Sequence, residues 1–115
     1  MMNESRRDRS TKPAEVSPAT FLSVLSNEIR LEVLISLSKA EKCVTDVAME
    51  LELDPSTISH ALQSLRQVGL VEREVNKKRH IYRTSAAVQV RHTENDVHVH
   101  VSTAGCEVIL KAPLR

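Results

Sequence analysis

The chain has 115 residues, a net charge of only +1 at neutral pH, and few aromatic residues: one phenylalanine, one tyrosine and no tryptophan. This length favours one domain with a modest core, which must be aliphatic. Because binding of single-stranded nucleic acid relies on aromatic stacking, the composition argues against that class of protein. No apolar run is long enough to cross a membrane.

The N-terminal third predicts a polar tail and two helices. Residues 1–16 show no hydrophobic period, so we predict a disordered tail. The tail has no signal-peptide core and the chain has two cysteines, so we expect a cytoplasmic protein with reduced thiols. Ser17 and Pro18 begin a short helix that carries Phe21. A second helix over residues 27–39 is apolar on nearly every side, which indicates burial.

Two short helices joined by a tight turn follow, and they predict a helix-turn-helix. The first covers residues 45–51, with Thr45 as its N-cap. The second helix, 55–68, has Asp54 as its N-cap, and Gly69 follows it. Its apolar residues recur at helical spacing, and its other face carries short, uncharged polar side chains. These side chains suit the base edges of a DNA major groove: Ser56, Thr57, Ser59, His60 and Gln63.

A basic hairpin comes next. Residues 71–84 alternate like two strands around a polar turn, and a helix-turn-helix followed by such a hairpin is a winged helix of the α+β class. The segment 66–83 has a local net charge of +4 although the whole chain is nearly neutral. We therefore expect contacts to DNA phosphates from Arg66, Lys77, Lys78 and Arg79.

Several segments, in the same order, resemble the ArsR/SmtB family of bacterial repressors. LSNEIRLEVL (25–34) resembles its second helix, and EKCVTDV (41–47) resembles its metal-site motif. STISH (56–60) and LRQVGLV (65–71) resemble its recognition helix. The resemblance covers roughly residues 20–84. It implies a winged helix-turn-helix domain over 17–84 and a homodimeric repressor that binds double-stranded DNA.

The chain departs from the family pattern at three points. Thr45 stands where a second cysteine is usual, and Glu52 stands where a glycine is usual in the turn. The family's C-terminal dimerising helix is replaced here by residues 85–115, whose alternation predicts β-strands.

We interpret residues 85–115 as a β-strand extension used for dimerisation or packing. A two-residue turn at Asn95 and Asp96 would pair Val90 with Val101 and gather the valines on one face. Residues 106–111 would add a third strand. We expect the valine face to pack on the first helix or on a second subunit.

Histidines and cysteines suggest a sensor, but no confident metal site. Cys43 lacks the paired thiolate at Thr45, so we interpret it as a small core residue. His98 and His100 share a strand face and are better candidates for a divalent transition metal, with His92 or Asp96 joining them, although an ordinary polar surface also explains them. A redox disulfide between Cys43 and Cys106 would require the two thiols to meet.

The expected function is therefore that of a DNA-binding transcriptional regulator. No glycine-rich phosphate loop or nucleophile-and-base spacing is present, so we do not expect an enzyme. Two alternatives remain open. One is a winged-helix protein-interaction module, which the acidic segment 41–54 and the apolar C-terminal hairpin would support. The other is a metal-responsive or thiol-responsive sensor that uses the C-terminal histidines and cysteine.

Overall fold

The computed structural model describes residues 17–103 and 105–113, and the predicted tail over residues 1–16 lies outside this part. The described chain forms a helical half followed by two antiparallel sheets. Its helices and strands are α1 (Pro18–Leu25), α2 (Glu28–Lys39), α3 (Val44–Leu51), α4 (Pro55–Gln67), β1 (Val71–Asn76), β2 (Arg79–Thr84), β3 (Val88–His92), β4 (Asp96–Thr103) and β5 (Cys106–Pro113). None of these helices is long and apolar enough to cross a membrane.

Most of the predicted helix starts are confirmed. Ser17 accepts a hydrogen bond from the backbone N–H of Thr20 at 3.2 Å, and Pro18 occupies the first position of α1. Asp54 and Pro55 begin α4 as predicted, although the Asp54 side chain makes no capping bond. The prediction of Thr45 as a cap is wrong, because α3 already begins at Val44, with Cys43 preceding it. Thr45 therefore lies in the first helical turn and is exposed.

Both helices of the helix-turn-helix end in the same left-handed hydrogen-bonded arrangement. After α3, Glu52 has φ 57°, and the N–H of Leu53 donates to Ala48 O at 3.0 Å. After α4, Gly69 has φ 82°, and the N–H of Leu70 donates to Leu65 O at 3.0 Å. These bonds satisfy carbonyls that would otherwise lack partners at a helix end. They also fix the direction in which the chain enters α4 and leaves it for the wing.

The five strands form two separate sheets. The wing pairs β1 with β2, with Val71 opposite Thr84 and Asn76 opposite Arg79, as the predicted hairpin requires. The second sheet has the order β3-β4-β5, so the predicted third strand is confirmed.

The predicted register between β3 and β4 is wrong by two residues. Val90 lies opposite Val99, not Val101. Thr93 exchanges hydrogen bonds with Asp96, through backbone and hydroxyl, and this moves the turn to residues 94 and 95. A two-residue shift preserves the alternation of faces. The valines therefore still share one face.

One hydrophobic core unites the helices and both sheets. It includes Phe21 of α1 and Leu62 of α4, together with Val97, Val99 and Val101 of β4, which are 3%, 1% and 0% exposed. Among the helices, α2 lies against β3. The chain's own core, which includes Phe21 of the first helix, therefore covers the valines of β4, and contact of this sheet with a second subunit stays a prediction. Residues 85–113 pack onto the winged helix as part of the same unit.

Candidate nucleic-acid interface

Helix α4 has one buried side and one exposed polar side. Ile58, Leu62 and Leu65 are fully buried, and this fixes the rotation of the helix about its axis. Four of the five predicted base-contacting residues are exposed on the opposite side: Ser56, Ser59, His60 and Gln63. Thr57 is half-buried at the boundary, so only part of its side chain faces solvent.

The first turn of α4 limits what Ser56 can do. Its hydroxyl donates to Asp54 Oδ2 at 3.4 Å. This bond directs Ser56 towards the start of the helix, whereas the side chains of His60 and Gln63 make no hydrogen bond within the described residues. His60 and Gln63 are therefore the side chains most available to base edges.

Gln67 is a further exposed residue on this side of the helix, and it was not among the predicted base-contacting residues. Gln67 lies one turn after Gln63 and is exposed. The signal that identifies it is the four-residue spacing from Gln63, which keeps both amides on one helical stripe.

The tip of the wing carries cations with no ionic partner. Lys77, Lys78 and Arg79 are exposed, and none of them forms an ion pair with another residue of the described ranges. Lys77 occupies the two-residue turn with φ 59°, a conformation that side chains rarely adopt outside such turns. Arg73 on β1, which the sequence analysis did not select, is also exposed and unpaired within the described chain.

The acidic residues of the wing are gathered on one arginine instead. Arg83 lies 2.9 Å from a carboxylate oxygen of Glu74, 3.4 Å from Glu72 and 3.7 Å from Glu41. The hydrogen bond to Glu74 raises the pKa of Arg83. The local charge of +4 is therefore unevenly distributed. Arg83 and its carboxylates form a cluster at the base of the wing, and the lysines at the tip have no ionic partner among the described residues.

Arg66 lies at the junction of α4 and the wing. It is half-buried and lines a groove of about 460 Å³ together with Arg73, Glu72 and Ser85. Ser85 holds this junction, because its hydroxyl donates to Gly69 O at 2.7 Å and its backbone N–H donates to Leu70 O at 2.9 Å. Arg66 and Arg73 therefore place positive charge between the exposed face of α4 and the wing.

A backbone bridge fixes the wing to the helical half. The N–H of Lys42 donates to Tyr82 O at 3.0 Å, and the N–H of Tyr82 donates to Lys42 O at 2.8 Å. Tyr82 itself is buried. These two bonds hold strand β2 beside the segment that leads into α3.

Two of the five acidic side chains in the segment 41–54 are paired with cations of the described chain. Glu50 accepts a hydrogen bond from the buried Ser36 at 2.8 Å and lies within 3.6 Å of the ammonium groups of Lys39 and Lys42. Burial alone raises the pKa of Glu50, but the Ser36 hydrogen bond and the two lysine charges outweigh burial and lower it. Glu41 is likewise paired with Arg83. The charges of Glu41 and Glu50 are therefore compensated locally, whereas Asp46, Glu52 and Asp54 form no ion pair within the described residues.

The candidate metal-binding histidines are not all brought to one face of the sheet. His92 lies opposite Val97, on the valine face, and so cannot join His98 and His100 on the other face. His98 is paired with Arg91 on one side and Lys111 on the other, and this positive surrounding opposes a cation. Within the ranges 17–103 and 105–113, no group of three or more histidine, cysteine or acidic residues is arranged to hold a metal, Asp96 included.

Both cysteines are free thiols in the structure. Cys43 precedes α3 and is half-buried, so it is less enclosed than the predicted core residue. Cys106 begins β5 and is also half-buried.

Comparison with known proteins identifies the family. A sequence profile described as "Bacterial regulatory protein, arsR family" matches residues 27–73. The chain is 32% identical over 88 residues to the arsenical resistance operon repressor of Staphylococcus xylosus. This match covers 76% of this chain and 85% of that repressor. The chain belongs to the ArsR family. It is a DNA-binding transcriptional repressor with a winged helix-turn-helix fold.

Solved structures agree with this ArsR-family assignment. The repressor BigR from Xylella fastidiosa is 31% identical with a TM-score of 0.55, and the match covers 76% of this chain and 84% of that one. A homodimeric winged helix-turn-helix domain from Mycobacterium bovis is 33% identical with a TM-score of 0.55. That match covers 57% of this chain and 61% of the M. bovis chain. The family profile ends within β1, so β2 and the β3-β4-β5 sheet lie beyond it.

Proposed function

We propose that the protein represses transcription as a homodimer that reads duplex DNA with the exposed face of α4. The observation that carries this proposal is the combination of a rigidly oriented, uncharged polar face with unpaired cations beside it. His60, Gln63 and Gln67 would contact base edges in the major groove. Arg66, Arg73 and the wing-tip cations Lys77, Lys78 and Arg79 would contact phosphates without reading sequence.

A homodimer is proposed because one α4 reads only a short half-site. Two copies related by a two-fold axis would read half-sites about 34 Å apart on one side of the duplex. The related M. bovis domain is described as homodimeric. A repressor acts where the chromosome lies, so we expect this protein in the cytoplasm.

The test begins with selection of binding sites for the wild-type protein from a random duplex library. Gln63→Ala and His60→Ala are then compared on the selected sequence and on single-base variants of it. Each should lower specific affinity by about 5-fold to 150-fold, since a good base contact contributes about 1–3 kcal/mol. Each should also relax the preference at one base position.

Gln89→Ala is the matched control, because Gln89 is equally exposed but lies on β3. It should bind DNA as the wild type does. If neither α4 variant changes affinity or base preference while both remain folded, α4 is not the element that reads the DNA.

We also infer that DNA release does not depend on a cysteine pair at the start of α3. Thr45 supplies a hydroxyl where a second thiolate would be needed, and soft ions prefer several sulfur ligands. Arsenite, zinc, nickel and copper should therefore not release DNA by binding at the start of α3 when they are titrated into the reduced protein–DNA complex. Tight release by arsenite that disappears in Cys43→Ser would contradict the inference.

A further inference from the structure

Strand β5 is an open edge of the second sheet. It pairs with β4 and with no other strand of the described chain. In an antiparallel ladder alternate residues direct both backbone groups away from the neighbouring strand. Alternate residues of Cys106–Pro113 therefore direct backbone carbonyls and, except at the proline, N–H groups away from β4, and this row is a template for another strand.

The apolar layer beneath the sheet also stops at this edge. The inward-facing valines of β4 are at most 3% exposed, whereas Val108 and Leu110, on the same face of β5, are only half-buried. On the opposite face Ile109 is 59% exposed. One more strand beside β5 would cover apolar surface on both faces at once.

The charged side chains of β5 indicate which strand could pair with its open edge. We propose that β5 pairs antiparallel with β5 of a second copy of this chain, with Ile109 opposite the partner's Ile109, to form one continuous sheet across the dimer. In this register Glu107 lies opposite the partner's Lys111, and the two-fold axis repeats the pair. Opposite charges at directly facing positions favour pairing, and like charges oppose it. The proposal rests on the homodimer proposed above and names its surface.

The register follows from the side-chain pattern. A shift by two residues in either direction would place Ile109 opposite Glu107 or opposite Lys111, and would break both charge pairs. Within the described ranges neither Glu107 nor Lys111 is in an ion pair, so both remain available to a partner.

The other edge of the sheet is less suited to this role. Strand β3 has five residues, and self-pairing centred on Val90 would place Gln89 opposite the partner's Arg91. That arrangement offers no opposite-charge pair and a shorter ladder. The open edge at β5 is therefore the favoured one.

Charge reversal tests the register directly. Glu107→Lys places lysines opposite each other at both ends of the proposed interface, and Lys111→Glu does the same with glutamates. Sedimentation should show a dimer dissociation constant at least about tenfold higher for each single variant, and the double variant Glu107→Lys/Lys111→Glu should return close to wild type. A mixture of the two single variants should form a heterodimer, because its facing charges are opposite.

A cross-link gives a second, independent measurement. Ile109→Cys, with Cys43 and Cys106 changed to alanine, would place two thiols at directly facing positions, within the Cα separation that disulfides accept. Mild oxidation should yield a covalent dimer. Val75→Cys in the same background is the control, because Val75 is 54% exposed but lies on the wing; it should remain uncross-linked.

The outcomes separate this interface from the homodimer itself. If the wild type is a dimer but neither charge reversal nor Ile109→Cys changes its behaviour, the β5 pairing is wrong and the homodimer stands. If the wild type sediments as a monomer and binds DNA as one, the pairing and the proposed homodimer both fail. Weakening in the single variants with recovery in the double variant supports the pairing.

Discussion

Two charged residues occupy left-handed backbone positions that glycine adopts without strain. Glu52, in the turn between α3 and α4, has φ 57°, and Lys77, at the tip of the wing, has φ 59°. The conformation costs a residue with a side chain roughly 1–2 kcal/mol. Strained backbone positions cluster at functional sites. Lys77 agrees with the proposed phosphate contact, because a glycine there would relieve the strain but remove the charge.

Replacement of Glu52 by glycine tests the strain in the turn. Glu52 has no ion pair or side-chain hydrogen bond within the described residues, so the substitution removes little else. Glu52→Gly should raise the free energy of unfolding by about 0.5–1 kcal/mol. This is the strain energy that glycine relieves in the folded state, minus the entropic cost of ordering the more flexible glycine. Met49→Gly, at an exposed helical position, should lower it by a similar amount. Urea denaturation measures both, and a destabilised Glu52→Gly would show that the turn is not strained.

The Glu50 network makes a small part of the stability depend on pH. The folded-state pKa of Glu50 lies below its ordinary value of 4.5. The network's stabilisation is therefore complete above about pH 4.5 and is lost as pH falls through the lower folded-state value. Because Glu50 keeps a third of its side-chain surface exposed, we expect Glu50→Gln to cost at most about 1 kcal/mol at pH 7.

Thermal unfolding of Glu50→Gln and wild type across pH 3 to 7 checks this expectation, and the two curves should converge at the acidic end. Glu94→Gln is the control, since Glu94 is exposed and unpaired among the residues described. A difference that persists unchanged at pH 3 would show that the carboxylate charge is not the cause.

At the scale of single elements, the wing separates its charges along its length. Glu72 and Glu74 are paired with Arg83 at the base, whereas the lysines at the tip form no ion pair with any residue that the structure describes. A simple count over residues 66–83 therefore understates the positive potential at the tip. The contribution of the tip to DNA binding should be electrostatic and independent of sequence.

Neutralisation of one wing lysine tests that contribution. Lys78→Gln should weaken binding to all duplex sequences alike and reduce the slope of log affinity against log salt by about one. Arg91→Gln removes an exposed cation from β3 and should leave the slope unchanged. A loss with Lys78→Gln that is confined to one operator sequence would instead mean that the wing reads bases.

Local signals in the sequence predicted the elements well, and failed where a distant or competing contact decides. Helix α4 was predictable because Asp54, Pro55 and Gly69 mark its ends and the apolar spacing marks its buried side. The turn after β3 was predicted at residues 95 and 96 because Asn95 favours turns. In the structure the backbone N–H of Asp96 donates to the hydroxyl of Thr93, and the turn therefore lies at residues 94 and 95. Alternation still identified the correct faces, because the error was an even number of residues.

The interactions between elements were not predictable from spacing. Arg83 forms an ion pair with Glu41, which lies more than thirty residues earlier in the chain, and no local sequence pattern indicates that contact. The alternation of valines showed that one face of the sheet is apolar, but it could not show that the chain's own core covers it. The availability of Gln63 and Lys77 was predictable, because exposure on an amphipathic helix or in a hairpin turn follows from the local pattern.

For the whole molecule, the shared core means that the β3-β4-β5 sheet and the winged helix should unfold together. Val99→Ala should lower the free energy of unfolding by about 1.5–3 kcal/mol, because Val99 is 1% exposed and the cavity would lie in the common core. Gln89→Ala on the same sheet should change it by less than about 0.5 kcal/mol. A single transition, seen equally by circular dichroism and by loss of DNA binding, is the expected result. Two separate transitions would show that the sheet is an independent unit.

Tyr82 gives the protein a built-in optical reporter. It is the only tyrosine in a chain without tryptophan, so ultraviolet-excited emission comes almost entirely from one ring. That ring is buried on β2, where the backbone is bonded in both directions to Lys42. Its fluorescence is therefore sensitive to the position of the wing against the helical half, and it needs no attached dye. Stopped-flow emission during mixing with DNA would show whether the wing shifts as the complex forms.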